Sequence, residues 1–281
     1  GGDSCNTFNI STTSAFVVAA SGARVAKHGN RSVSSKSGSA DILEAAGINI
    51  ELDAKQVASC IENVGIGFMF APMHHSAMKH AIGPRRELGL RTLFNVLGPL
   101  TNPASAPNQI IGVFDKKWLN PLAETLNQLG SKHVLVVHSE DGMDEISVSA
   151  KTFISELNNK EINNYEITPN DFGIKKFNIN DLSVETIDES LTMMKSVFDN
   201  NNNAAKSIVG LNAGAAIYAS GISDSLKAGV EMAKNIQNGS VSNNASREIE
   251  DFVLSKIEQG IEEKRKNISK INQEKLENKA L

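Results

Sequence analysis

Two features of the 281-residue sequence predict an α/β fold with a central, mostly parallel sheet flanked by helices. Short, nearly continuous apolar runs recur at residues 48–52, 65–72, 109–114 and 133–139. Segments of helical periodicity, such as 119–129, separate them. Strands buried on both faces read as unbroken apolar runs, and strand, helix, strand at this spacing places them side by side in a parallel sheet.

The elements follow in chain order. NISTTSAFVVAA (residues 9–20) is hydroxylated and then apolar, as expected of a buried helix with a polar start. An apolar segment around Val25 leads into a Gly/Ser/Lys-rich loop and then a helix over 40–46, with Gly47 as its stop. Residues 74–97 read as two helical turns joined near Gly83 and Pro84 and ending at Gly98-Pro99, after which Pro99 and Pro103 bracket a rigid loop. Alternation after Ser147 predicts a strand pair followed by a turn, and residues 200–203 a polar loop. Residues 211–221 and 225–239 predict two helices, each stopped by glycine, and the charged tail from Arg247 a solvated helix.

Composition sets the limits on function. With 40% hydrophobic and 21% charged residues the chain can bury a real core. No apolar run approaches the roughly 20 residues that span a bilayer, and no basic-then-apolar leader is present, so a soluble, cytoplasmic chain is expected. Cys5 and Cys60 form no CxxC or zinc spacing and are read as reduced thiols. A net charge of -4 with a pI near 5.9 disfavours a long polyanion as partner but leaves room for a small phosphorylated ligand.

The candidate chemistry lies in four places. Gly1, Gly2, Thr7, Asn9, Ser11 and Thr12 combine a glycine turn with a hydroxyl-bearing helix start, a composition that suits phosphate oxygens as well as a plain capped helix. Lys27, His28, Asn30 and Arg31, followed by the Ser/Gly run that contains Lys36 and Ser39, make one cationic, donor-rich loop. Beside the glycine turn it favours an anion site over a solvated surface loop. Asp144 and Glu145 fall just beyond the apolar run 133–139, where parallel sheets bind ligands; next to phosphate loops they are read as magnesium carboxylates rather than turn caps. Among Arg85, Arg86 and Arg91, near GPLTNP (98–103), one suits a bidentate clamp on a substrate carboxylate, although helix arginines are commonly surface ion pairs. His74, His75 and His80 lack a Cys or HExxH frame, which favours packing or supporting roles over metal binding.

GGD-x3-T-x-N-x-ST (1–12), KHGNR-x-VSSKSGSAD (27–41), RRELGLRTLFNVLGPLTNP (85–103), GMDEIS (142–147) and LNAGAAIY (211–218) occur in the order found in anthranilate phosphoribosyltransferases, and the chain resembles that family from residue 1 to about 239. The resemblance implies the fold of class II nucleoside phosphorylases, with a large α/β domain and a small helical one. It also implies a homodimer and magnesium-dependent transfer of phosphoribose from phosphoribosyl diphosphate to anthranilate in tryptophan biosynthesis. Gly2, Asp3, Thr7, Asn9, Ser11, Thr12, Lys27 and Ser39 match the family's phosphoribosyl diphosphate contacts, with Gly1 in the same turn. Ser11, Asp144 and Glu145 match magnesium ligands. Asn30 and Arg85 match anthranilate contacts, with His28 and Pro99 lining that side. Lys27, Asp144 and Glu145 are expected to carry the catalysis by serving the leaving group. An aromatic amine is neutral at pH 7 and already nucleophilic, so no catalytic triad and no covalent intermediate are expected.

On this basis residues 1–70 and 104–240 are assigned to the α/β domain, with remnants of a small helical domain in 71–103. Residues 241–281 are left as a charged tail without a role. An N-terminal truncation is expected, since the family's motif begins with a further Gly-Thr and its helical domain lies upstream; an apolar patch near 74–97 and weakened activity follow. Ser76 stands where proline is common, and residues 183–188 replace a glycine pair. The rival readings are a pyrimidine nucleoside phosphorylase or related phosphoribosyltransferase of the same fold, and a non-catalytic phosphate-binding module.

Overall fold

A computed structural model describes residues 5–32, 38–75, 94–198 and 203–239. The chain opens with helix α1 (Ile10–Ala20), strand β1 (Val25–Gly29), helices α2 (Ser39–Ala45) and α3 (Ala54–Val64) and strand β2 (Ile66–Phe70). Two short helices, α4 (Ala71–His74) and α5 (Phe94–Leu100), flank an interval outside the described residues. Then follow β3 (Asn108–Gly112), α6 (Leu119–Gln128), β4 (His133–Ser139), β5 (Thr152–Asn158), β6 (Glu161–Ile167), α7 (Ile187–Phe198), α8 (Asn203–Ala219) and α9 (Leu226–Gln237).

The described strands form two sheets. β1 and β2 pair in parallel, Lys27 opposite Phe68. In the second sheet, ordered β3-β4-β5-β6, β3 and β4 are parallel, and the antiparallel hairpin β5-β6 extends the sheet. β4 is apolar on both faces because both are covered. Val134 and Val136 pack with Leu122 and Leu126 of α6, whereas Leu135 and Val137 pack with Ile208, Leu211 and Ala215 of α8. α1 is buried on every side except at Ser11: Val17 and Val18 enter the α8 cluster, while Phe16 and Ala19 pack with Ile42, Leu43 and Phe68. A helix hydrophobic all round belongs at the centre of a domain, and the hydroxyls at its start are what keep one end polar. α8 and α9 cross so closely that a Cβ on Gly214 would lie 2.4 Å from the Val230 Cα, which requires glycine there.

The α/β class, the helices at 10–20, 39–45 and 119–128, the strands at 66–70, 108–112 and 133–139 and the strand pair after Ser147 match the sequence expectation, whereas Lys27 and His28, expected in a loop, lie within strand β1, which pairs in parallel with β2. Residues 48–52 do not form a strand: Ile50 alone is a buried anchor, and Asn49 Oδ1 accepts the Glu51 N–H, a local turn that competes with pairing. α5 continues through Gly98 and Pro99 to Leu100 rather than ending at Gly98-Pro99. α8 begins at Asn203, well before residue 211, and α3 and α7 have no counterpart among the elements expected. The turns expected between 76 and 93 and the tail beyond 239 lie outside the described residues. Among the described residues no helix is long and apolar enough to cross a membrane.

One buried carboxylate ties the second sheet together. Glu156 on β5 accepts from Tyr165 Oη of β6 (2.7 Å) and Tyr218 Oη of α8 (2.8 Å), and its Oε1 lies 2.8 Å from His133 Nε2 of β4. Burial would raise the Glu156 pKa, but the bonds from His133, Tyr165 and Tyr218 outweigh it and hold the carboxyl below its ordinary value. The stabilisation is therefore present above the unfolded-state pKa of about 4.3 and lost as pH falls through the lower folded value. Glu156→Gln is expected to cost about 2 kcal/mol at pH 7, measured by urea denaturation, and the gap to the parent should shrink as pH falls below about 4.

Candidate active site

The ends of β1 and β4 and the start of α1 meet at one cavity of about 1370 Å³. Ser11, Lys27, His28, Asn30, Pro99, Asp144 and Glu145 all line it. The residues come together from distant parts of the chain because β1 runs parallel to its neighbour and delivers Lys27 and His28 at its carboxyl end, beside the polar start of α1.

At the helix start, Asn9 caps α1, its Oδ1 accepting the Thr12 N–H at 3.0 Å, and no acidic residue stands in the first turn. The helix end is thus left electropositive. Ser11 is the exposed hydroxyl of that turn, and Lys27 Nζ donates to its Oγ at 3.1 Å. Withdrawal from water lowers the Lys27 pKa to about 8, although the Glu145 carboxylate pushes it back up. The arrangement leaves Lys27 poorly solvated and in need of an anion.

His28 is a neutral imidazole. Burial, the nearby His75 and His74, and Lys27 together lower its pKa to about 4, against a bond donated to the Gly98 backbone carbonyl that raises it. The rings of His28 and His75 meet edge to face at 4.9 Å. The Nε2 atoms of His28, His74 and His75 are all buried without a hydrogen-bond partner. His74 and His75 line the cavity with His28, so the pair belongs to the same wall.

Beyond β4 the acidic segment folds back onto β3. A Cβ at Gly112 would lie 1.5 Å from the Asp144 carbonyl oxygen, so only glycine admits this approach. Asp141 Oδ2 accepts from Ser147 Oγ at 2.6 Å and also from Ser149 Oγ. Gly112 and Asp141 are functional supports that the sequence reading does not single out; the glycine interrupting the apolar run QIIGVF is the available signal.

The donors facing the cavity include a hydroxyl and two carboxylates, hard oxygen ligands of the kind magnesium takes. Among the described residues no group of three or more His, Cys, Asp and Glu is arranged to hold a metal by itself. That is compatible with an ion that completes its shell with phosphate oxygens and water.

The other expected contacts are placed differently. Thr12 is buried, with an Oγ1 that has no partner, while Thr7 pairs with Ser183 in an isolated bridge; neither lines the cavity. The Asn9 carboxamide oxygen is engaged as the helix cap. Ser39 opens α2 against β1, its Cβ 3.1 Å from where a Gly29 Cβ would stand. In the first turn of α2, Asp41 Oδ2 accepts from both Ser32 N and Gly38 N at 2.9 Å, tying together the two described residues that flank positions 33–37. Gly1, Gly2, Asp3 and Arg85 lie outside the described residues.

At pH 7 a lysine with a depressed folded pKa costs the native state stability, and the cost disappears as pH rises through about 8 toward the unfolded value. Lys27→Met is therefore expected to be at least as stable as the parent at pH 7, with the difference narrowing above pH 8 in denaturant titrations. A clear loss of stability at pH 7 would contradict the desolvated ammonium.

Comparison with known proteins follows the same lines. Residues 1–242 match the glycosyl transferase family, a/b domain. The anthranilate phosphoribosyltransferase of Methylococcus capsulatus is 61% identical over 236 residues, covering 84% of this chain and 69% of that protein. The enzyme of the same name from Thioalkalivibrio sulfidiphilus is 56% identical over 255 residues, 91% of this chain and 75% of its own length. The crystal structure of anthranilate phosphoribosyltransferase from Thermus thermophilus superposes with a TM-score of 0.82 at 38% identity, over 92% of this chain and 76% of that one. The Saccharomyces cerevisiae enzyme in complex with PRPP and Mg gives 0.78 at 25% identity, over 92% and 72%. By sequence and by fold, this chain belongs to the anthranilate phosphoribosyltransferase family.

Proposed function

We propose that this chain transfers phosphoribose from 5-phosphoribosyl 1-diphosphate to the amino group of anthranilate, giving N-(5-phosphoribosyl)anthranilate and diphosphate, as a cytoplasmic, homodimeric enzyme of tryptophan biosynthesis. One observation carries the reading: Ser11, Lys27, Asp144 and Glu145 share a single cavity with His28, Asn30 and Pro99, in a chain whose relatives bear that enzyme's name.

In the reaction the bond from the anomeric carbon to diphosphate oxygen breaks, the bond to the amine nitrogen forms, and the nitrogen gives up a proton to solvent. Negative charge develops on the departing diphosphate while the ribose gains oxocarbenium character, so catalysis consists of charge stabilisation and alignment. Lys27, short of solvent, gains most from an arriving anion. The open start of α1 with Ser11 offers further donors to phosphate oxygens. Ser11, Asp144 and Glu145 are the residues that would hold magnesium, which when bound supplies Lewis-acid stabilisation of the diphosphate. Thr7, Asn9, Thr12 and Ser39, with Gly1, Gly2 and Asp3, are assigned to the phosphoribosyl diphosphate side by the family motif.

On the acceptor side, His28 stays neutral over the working pH range, and its unpartnered Nε2 is free to hydrogen-bond the amine. Asn30 and Pro99 line the same end, and the family motif adds Arg85 as the carboxylate clamp. No residue here needs to act as a covalent nucleophile, because the amine attacks directly.

The test follows anthranilate fluorescence on adding phosphoribosyl diphosphate and magnesium, with this chain alone and joined to the upstream helical segment that the resemblance predicts. Loss of fluorescence is expected, slowed on the order of 100-fold or more by Asp144→Asn. kcat/KM for phosphoribosyl diphosphate should fall above about pH 8, since Lys27 is charged below that pH and neutral above it. Phosphorolysis of thymidine or uridine in place of anthranilate turnover would move the assignment to a nucleoside phosphorylase.

A further inference from the structure

Asp144 and Glu145 are adjacent like charges on a segment without regular secondary structure, between β4 and β5. The backbone that carries them is held in part by a side chain from another element. Asn212, on α8 and only 6% exposed, reaches across to Ile146, the residue immediately after the pair. Its Oδ1 accepts the Ile146 N–H at 2.9 Å, and its Nδ2 donates to the Ile146 carbonyl at 2.9 Å. The same Nδ2 also donates to the Ile208 carbonyl of its own helix at 2.9 Å, which fixes the amide's orientation: turned over, its oxygen would face two carbonyls. The two bonds to Ile146 reproduce a strand pairing for a single residue of a loop.

We propose that Asn212 is a positioning residue for the magnesium-holding carboxylates: by clipping both backbone groups of Ile146 to α8, it fixes the peptide that aims Asp144 and Glu145 into the cavity. The inference rests on the reading of that pair as the metal-holding carboxylates and extends it to a residue that the reaction itself does not touch. Three supports act together. Gly112 is the floor on which the Asp144 carbonyl lies, Asp141 holds the far side through Ser147 and Ser149, and Asn212 holds the middle. Buried Met143, Ile146 and Val148 anchor the segment from beneath. Of the three supports only Asn212 comes from a different layer of the fold, so it couples the helix layer to the carboxylates. Only an amide serves here, because the clip needs a donor and an acceptor on one rigid group; aspartate would present oxygen to two carbonyls.

The experiment measures Mn2+ binding to this chain by electron paramagnetic resonance in the presence of inorganic diphosphate, alongside thermal unfolding of the same samples. Asn212→Ala is expected to weaken Mn2+ binding about tenfold or more, and Asn212→Asp at least as much. Leu126→Ala, a core truncation against α6 remote from the loop, should lower the unfolding temperature without moving Mn2+ affinity. If Asn212→Ala does not fold, Asn212→Ser, which keeps part of the clip, carries the same comparison. In turnover, the half-saturating magnesium concentration should rise about tenfold while KM for anthranilate is unchanged, a split that general loosening of the fold would not give. Asp144→Asn separates the two levels of the argument. If it loses Mn2+ while the Asn212 variants keep parent affinity within twofold, the positioning role is overturned and the metal reading stands. If Asp144→Asn itself keeps full affinity, the metal reading fails and the inference falls with it.

Discussion

An ammonium group withdrawn from water has to be compensated, and the arrangement around Lys27 follows from that requirement. The lysine stands at the end of a parallel strand, donates to the hydroxyl that opens a buried helix, and faces a carboxylate on the loop beyond a second parallel strand. Glu145 and Ser11 answer only part of the cost, so burial still holds the pKa down at about 8. A polyanionic ligand completes the compensation, so the site is tuned to the charge of what it binds before any detailed contact is made. The layers of the fold serve this by bringing α1, β1 and the β4 exit to one place.

Site and scaffold are therefore hard to separate in this chain. The segment carrying Asp144 and Glu145 has no secondary structure of its own, yet its backbone is seated on β3 at Gly112 and fastened to α8 at Asn212. α8 is itself locked by the close crossing with α9 at Gly214. In LNAGAAIY the asparagine, the glycine and the tyrosine thus have three separate structural duties within two turns of one helix. The asparagine reaches the acidic segment, the glycine admits the neighbouring helix, and Tyr218 reaches Glu156 at the far end of the sheet.

Much of this is legible in the sequence because the signals are local and strong. The β-branched apolar run at 133–139 reads as a strand covered on both sides, and Asn9 before ISTTS marks a helix start. Asp144 and Glu145 stand out as charges just beyond an apolar run, and Lys27 as the start of a cationic, donor-rich segment. What the sequence does not reveal depends on contacts between distant residues. Gly112 looks like any glycine in a strand until the Asp144 carbonyl is seen lying on it, and Glu156 looks like a surface charge until both tyrosines are seen to meet it. The run at 48–52 misleads because apolar content alone cannot tell a strand from a loop with one buried anchor. The long helix α8 is recognisable only from residue 211, since its first half follows an asparagine-rich stretch that reads as a loop.

The convergence of both tyrosines on one carboxylate has an optical consequence. A phenol hydrogen-bonded to a carboxylate loses excited-state energy by proton transfer, so Tyr165 and Tyr218 are expected to be quenched while the Glu156 cluster is closed. Trp118, the single tryptophan, packs on the opposite face of the same sheet, with the α6 cluster, whereas the tyrosines pack with the α8 cluster. Indole emission and phenol emission thus come from opposite sides of one sheet, giving the molecule a natural two-colour record of which face opens first.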